Sequence, residues 1–107
     1  MREDIQKWVE ALRSGEYKQC KETLHNKDTG GFCCLGVYAV VSGIATPEAI
    51  GVVKVANEDL DEGPYRVYEK IRERVDSFVV KSGISMNDAG KPFTDIADMI
   101  EEFYEDE

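Results

Sequence analysis

Two thiols stand side by side in the run Gly30-Gly31-Phe32-Cys33-Cys34-Leu35-Gly36-Val37-Tyr38, between a diglycine and an apolar stretch. The apolar stretch reads as a helix, so a sulfur falls near its positive end. There the backbone dipole favours a thiolate over a thiol. Cys34 as nucleophile, His25 as base, Asn87 or Asp88 as orienter and Gln19 as oxyanion donor would supply the parts of a cysteine hydrolase. The competing reading is packing, because cysteine is among the most buried residue types and behaves as a small apolar group. One sulfur then points into a sheet face and the other lies under the helix. His25 falls in a turn with nothing in the sequence to hold its ring, which weighs against catalysis. The expectation is therefore no catalytic residue, with Cys34 and His25 as the alternative pair.

Other donors are weaker. Cys20, His25, Cys33 and Cys34 are zinc-type ligands, but zinc sites use spaced pairs such as Cys-x-x-Cys, and adjacent cysteines rarely share one ion. Asp59, Asp61 and Glu62 are close together without the twelve-residue pattern of a calcium loop. No metal and no cofactor are expected. Asn87-Asp88-Ala89-Gly90 reads as a chain reversal that bonds its own backbone. The last stretch differs in kind. From Thr94 to the C-terminus there are seven acids and neither lysine nor arginine. A solvated helix face is one reading. The other is a negative surface that steers onto a basic groove of a partner. On that reading the partner-binding residues are Glu58, Asp59, Asp61 and Glu62 in an acidic loop, with Asp98, Glu101, Glu102 and Glu105 on the last helix.

The elements that must hold these residues follow from periodicity. Ile5, Trp8, Val9 and Leu12 recur at i, i+3, i+4, i+7, one face of a helix that Gly15 stops. Tyr17 to Leu24 lacks that period and reads as a short strand. His25 to Gly31 reads as a turn, and Phe32-Cys33 as the returning strand. From Cys34 the helical period resumes. Cys34, Val37, Tyr38 and Val41 make one face, and Leu35, Val40 and Ile44 widen it, so this helix should be central. Gly43 should end it. Gly36 inside it costs about 1 kcal/mol relative to alanine, which implies the close approach of a neighbour. Thr46-Pro47-Glu48 has the form of a helix start. Residues 49–56 fit helix or strand. Pro64 starts another helix with Tyr65, Tyr68, Ile71, Val75 and Phe78 inward. Gly83 interrupts the next segment, and Ile84-Ser85-Met86 is undecided between helix and strand. Thr94 caps a last helix whose inner stripe is Ile96, Met99, Ile100 and Phe103.

The chain of 107 residues is long enough for one core, and residues 1–107 read as a single globular domain. The fold class is α+β, mostly helical, with a short β-hairpin near residues 17–34. A net charge of −9 repels phosphate, so direct nucleic-acid binding is disfavoured. The low-charge stretch Thr29 to Thr46 contains four glycines and reads as core rather than a membrane span. The N-terminus is charged from the start, unlike a secretory signal. Three cysteines, two of them adjacent, make a poor disulfide framework and point to a reducing cytoplasm.

Three blocks together resemble a family of small uncharacterised proteins encoded by bacteriophages and prophages. They are Trp8 to Gln19, Phe32-Cys33-Cys34-Leu35-Gly36-Val37, and Met86 to Glu101. The resemblance implies expression in the cytoplasm of a bacterial host and carries over no catalytic residue. With the acidic surface, it sets the functional expectation: a non-enzymatic accessory protein that binds a host protein with a basic surface. A defence or nucleic-acid-processing factor would be the target inhibited. The alternatives are a small thiol-dependent enzyme using Cys34 and His25, and a virion or replication accessory protein.

Overall fold

In the computed structural model the described residues are 2–21, 24–26, 28–46 and 64–105. Among them are five helices and one two-stranded antiparallel hairpin, a mostly helical α+β arrangement. The helices are α1 (Glu3–Ser14), α2 (Cys34–Val41), α3 (Pro64–Arg74), α4 (Ser77–Asp88) and α5 (Phe93–Tyr104). The strands are β1 (His25–Asn26) and β2 (Gly31–Phe32), paired His25 to Phe32 and Asn26 to Gly31.

The buried side chains form one cluster with α2 at its centre. Helix α1 lies along both α2 and α5, while α3 and α4 close on α2 from other directions. Ile5, Trp8, Val9 and Leu12 are all buried, as their spacing requires. Their burial contributes roughly 6–12 kcal/mol of transfer free energy before ordering entropy is subtracted. Gly15 and Gly43, at φ +78° and +80°, take the left-handed conformation that ends a helix, at the positions expected for α1 and α2. Gly36 is explained too. A Cβ there would overlap the Leu24 carbonyl oxygen and stand 2.9 Å from the Leu24 carbonyl carbon.

Four expectations are corrected. The strand of the hairpin is His25–Asn26, which reads locally as turn, while the described residues among 17–24 form no regular strand. Segment 18–20 instead joins Phe32 from its other side. The Phe32 N–H donates to the Lys18 carbonyl at 2.7 Å, and the Cys20 N–H donates to the Phe32 carbonyl at 2.9 Å, making an isolated parallel bridge. Local polarity favours a turn at His25, but the Phe32 ring offers it a surface and overrides that preference. Second, α3 stops at Arg74, so Phe78 is not part of its inner stripe. Val67, Ile71 and Val75 are buried, and Tyr68 is half-buried. Third, Gly83 does not interrupt a segment but lies inside α4, where its missing side chain leaves room for a sulfur. Ile84-Ser85-Met86 are helical as well. Fourth, the N-cap of α5 is Pro92, without a side-chain cap bond, and Thr94 stands within the first turn. Residues 47–63, which include the expected helix start at Pro47 and the 49–56 segment, lie outside the described residues.

Candidate functional site

The thiols come first. Cys33 holds the N-cap position of α2 in extended conformation, and Cys34 is the first helical residue. Cys34 is fully buried. Its sulfur lies 3.1 Å from where a Gly83 Cβ would stand, so it packs against the backbone of α4. Its carbonyl accepts the Trp8 indole N–H at 2.8 Å. Burial pushes the Cys34 thiol well above its ordinary range, and the neighbouring Cys33 adds to this. The N–H groups of the first helical turn oppose that shift without overcoming it. Burial likewise pushes Cys33 up to about 11, against the N–H groups of Gly36 and Leu35. A thiol at that value is ionised to about one part in ten thousand at neutral pH.

His25 is better held than its sequence context suggests. Its Nδ1–H donates to the Gly31 carbonyl at 2.7 Å, the carbonyl being able only to accept. Its ring stacks on Phe32 with centroids 4.1 Å apart. The expectation of an unheld ring is thus corrected, yet what holds the ring is the hairpin and not a nucleophile. Gln19 and Asn87, read as oxyanion donor and orienter, do meet. The Gln19 amide donates to Asn87 Oδ1 at 3.0 Å and to the Lys91 carbonyl at 2.7 Å, which uses both its hydrogens. Asn87, a polar residue 1% exposed, donates to the Cys20 carbonyl at 2.7 Å. The pair is a clip between segment 18–20 and the end of α4, with Gln19 left no hydrogen for a substrate. Among the described residues no group of three or more His, Cys, Asp or Glu is placed to hold a metal ion.

The acidic face divides into two parts. Arg13 of α1 donates to Asp98 at 2.6 Å and to both carboxylate oxygens of Glu101, at 3.1 and 3.3 Å. Those bonds raise the Arg13 pKa further above its already high value. Asp98 and Glu101 therefore pin α1 to α5. Glu102 and Glu105 are exposed, as is Asp95. Asp95, Asp98, Glu102 and Glu105 follow spacings of three, four and three, which stacks them in one stripe along α5. Glu58, Asp59, Asp61 and Glu62 lie outside the described residues.

Sequence reasoning missed one feature of this face. Phe78 and Phe103, both expected inward, are 56% and 38% exposed. Their rings stack across the α4–α5 junction with centroids 5.5 Å apart and planes 19° apart. Phe103 also meets Tyr104 edge-on at 5.0 Å. The signal for Phe78 was available. Asp76 accepts the Phe78 N–H at 2.9 Å as the N-cap of α4, so the helical phase restarts there and Phe78 leaves the stripe of α3. Phe103 sits one residue from Glu102 and two from Glu105, at the border between the buried side of α5 and its acidic stripe.

A second polar cluster binds the helix ends behind this face. Tyr38 donates to Asp4 at 2.5 Å, and Arg2 pairs with Asp4 at 3.0 Å while donating to the Arg74 carbonyl at 2.6 Å. The Arg2 guanidinium also lies over the Tyr104 ring, 5.7 Å from its centroid. The Tyr104 hydroxyl accepts the Asp76 N–H at 3.0 Å. Burial, then the Asp4 carboxylate, raise the Tyr38 pKa. Burial would raise Asp4, but the bonds from Arg2 and Tyr38 outweigh it, and its pKa is lowered.

Residues 1–42 match the family model of a domain of unknown function, DUF8296. No curated protein and no solved structure matches the chain. The matched stretch spans α1, the hairpin and α2, and so includes Trp8, Arg13, Cys33, Cys34 and Gly36. Phe78, Glu102, Phe103 and Glu105 lie outside it. The matched stretch thus holds about half of the buried core, and the exposed rings and acids of α5 lie in the remainder of the chain.

Proposed function

We propose that this chain is a non-enzymatic accessory protein of bacteriophage type, acting in the cytoplasm of a bacterial host by binding a host protein with a basic surface. The target class is a defence or nucleic-acid-processing factor, because a groove built for phosphate presents the positive charge that an acidic protein can occupy. The observation that carries the reading is the division of charge on α5. Arg13 engages Asp98 and Glu101, while Glu102 and Glu105 remain exposed on the same stripe. The burial of Cys33 and Cys34 supports the non-enzymatic part, and so does the engagement of His25 with the hairpin. Among the described residues no helix is long and apolar enough to cross a membrane.

The test is capture from a bacterial lysate at low salt with the wild-type chain and with Glu102→Lys/Glu105→Lys. A partner retained by the wild type, released by moderate salt and lost in the charge-reversed variant is the expected result. Retention unchanged by both treatments would remove charge as the basis of recognition.

A further inference from the structure

Phe78 and Phe103 are large hydrophobic residues exposed at the surface of the described residues, stacked on one another, and Phe103 borders the acidic stripe of α5. We infer that this pair is the anchor point of a docking surface for a protein segment that presents an apolar side chain flanked by Lys or Arg. The inference rests on the proposed function and deepens it by naming the contact.

Fully buried aromatic rings at the centre of a charged rim are the usual anchors of protein interfaces. Given their exposures, the two phenylalanines leave roughly 200 Å² open to water. A stable interface covers about 800 Å² on each partner, so the rings form a centre and the surrounding polar groups form the rim. Charge selects the occupant. A two-fold contact between copies of the chain would set the same patch against itself, placing Glu102 and Glu105 against their equivalents. Each copy also carries a net charge of −9, which adds general repulsion. Nucleic acid and anionic lipid are excluded by the same sign. A segment with Lys or Arg beside an apolar group satisfies both halves of the patch. Lys81, exposed one turn beyond Phe78 on α4, places a positive charge there beside the Asp76 carboxylate, so the unopposed negative charge lies on α5. The basic residues of the partner therefore face α5.

The probe is a labelled amphipathic helical peptide of leucine and lysine, titrated with the full chain and followed by fluorescence anisotropy. The expected result is saturable one-to-one binding that weakens as salt rises to about 0.15 M, where the screening length is about 8 Å. Phe78→Ser/Phe103→Ser should weaken binding at least tenfold. Glu102→Gln/Glu105→Gln should weaken it and flatten its salt dependence. A leucine–glutamate peptide should not bind. The positions are exposed, and circular dichroism with Trp8 fluorescence verifies that each variant is folded. Equal binding by the wild type and the phenylalanine variant would overturn the inference, since adsorption would then be by charge alone. Absence of peptide binding would overturn it too, as would a dimer in sedimentation that the phenylalanine variant dissolves. Peptide binding at the rings without any salt-sensitive host partner would leave this surface standing and remove the proposed function, so the two failures are distinguishable.

Discussion

Replacing Gly36 by alanine adds one methyl group at the tightest of the described glycines. The new carbon would overlap the Leu24 carbonyl oxygen, stand 2.9 Å from the Leu24 carbonyl carbon, and meet Phe32 Cδ1 at 3.4 Å. The obstacle is backbone, which cannot swing aside as the end of a side chain does. The Leu24 carbonyl also accepts the Cys33 N–H at 3.1 Å, just before α2 begins, so moving it leaves a buried donor without its acceptor. Overpacking of this kind costs about 1–3 kcal/mol, and an unsatisfied buried donor about 1–3 kcal/mol more. Alanine returns about 1 kcal/mol through its better helix propensity. The net expectation is a loss of about 3 kcal/mol. For a domain of this size that lowers Tm by roughly 12–24 °C. Urea unfolding followed by Trp8 fluorescence measures it. Gly43→Ala is the comparison, because nothing lies within 4 Å of that Cβ and only its φ of +80° resists. Its loss should be nearer 1–2 kcal/mol. If Gly36→Ala proved as stable as the wild type or more so, the propensity gain alone would be visible. The close approach of Leu24 to α2 would then be wrong.

Three further outcomes are expected. Tyr38→Phe removes a bond to a charged acceptor and should cost about 1.5–3 kcal/mol at neutral pH. Because the folded-state pKa of Tyr38 is raised, its contribution is complete below the unfolded value of about 10 and is lost as pH rises through the folded value. The wild type should therefore lose stability above about pH 10 more steeply than the variant, which chemical denaturation across alkaline pH would reveal. A disulfide reagent at neutral pH should modify Cys33 and Cys34 only at the rate of unfolding, accelerating with urea, and rapid native labelling at Cys34 by peptide mapping would contradict the packing described. Asn87→Ala should cost about 2–4 kcal/mol, because it removes the bond to the Cys20 carbonyl and leaves a Gln19 hydrogen without its acceptor. Hydrogen exchange should then rise at Cys20 and Phe32, the backbone groups that the clip holds in register.

Much of the helical framework was legible because it depends on one face burying itself. The i, i+3, i+4, i+7 spacing in α1 and the left-handed stops at Gly15 and Gly43 each involve a few neighbouring residues. Gly36 was legible for a different reason: a residue that costs helix stability needs a compensating contact, and Leu24 provides it. The hairpin was misread because its pairing is set by Phe32, a residue on the opposite strand. Tyr17 meets the Phe32 ring edge-on at 5.5 Å and His25 stacks on it at 4.1 Å, and no local pattern encodes either contact. Phe78 was misplaced by extending one helical phase past Asp76. The same error hid half of the exposed aromatic pair, so the docking surface was readable only as charge. Gln19 and Asn87 were singled out for polarity alone. Their separation of 68 residues gave no indication that each would satisfy the other.

The competition at the start of α2 decides between surface and chemistry. A helix dipole favours a charged group at its end by about 0.3–2 kcal/mol, at most about one and a half pKa units. Full burial of an ionisable group opposes charge by up to about 3–5 units. Cys34 experiences both, and burial wins, which agrees with the direction of its pKa. The burial is not incidental. Trp8, the largest buried side chain, places its indole N–H on the Cys34 carbonyl and its ring 4.9 Å from Tyr38, while α4 closes over the sulfur at Gly83. Opening that corner to a substrate would dismantle the contacts that make α2 central. Activating Cys34 and keeping this core are therefore alternatives for the same residues. On the proposed function, contact with a partner falls to groups outside that core: the carboxylates of α5 and the two rings beside them.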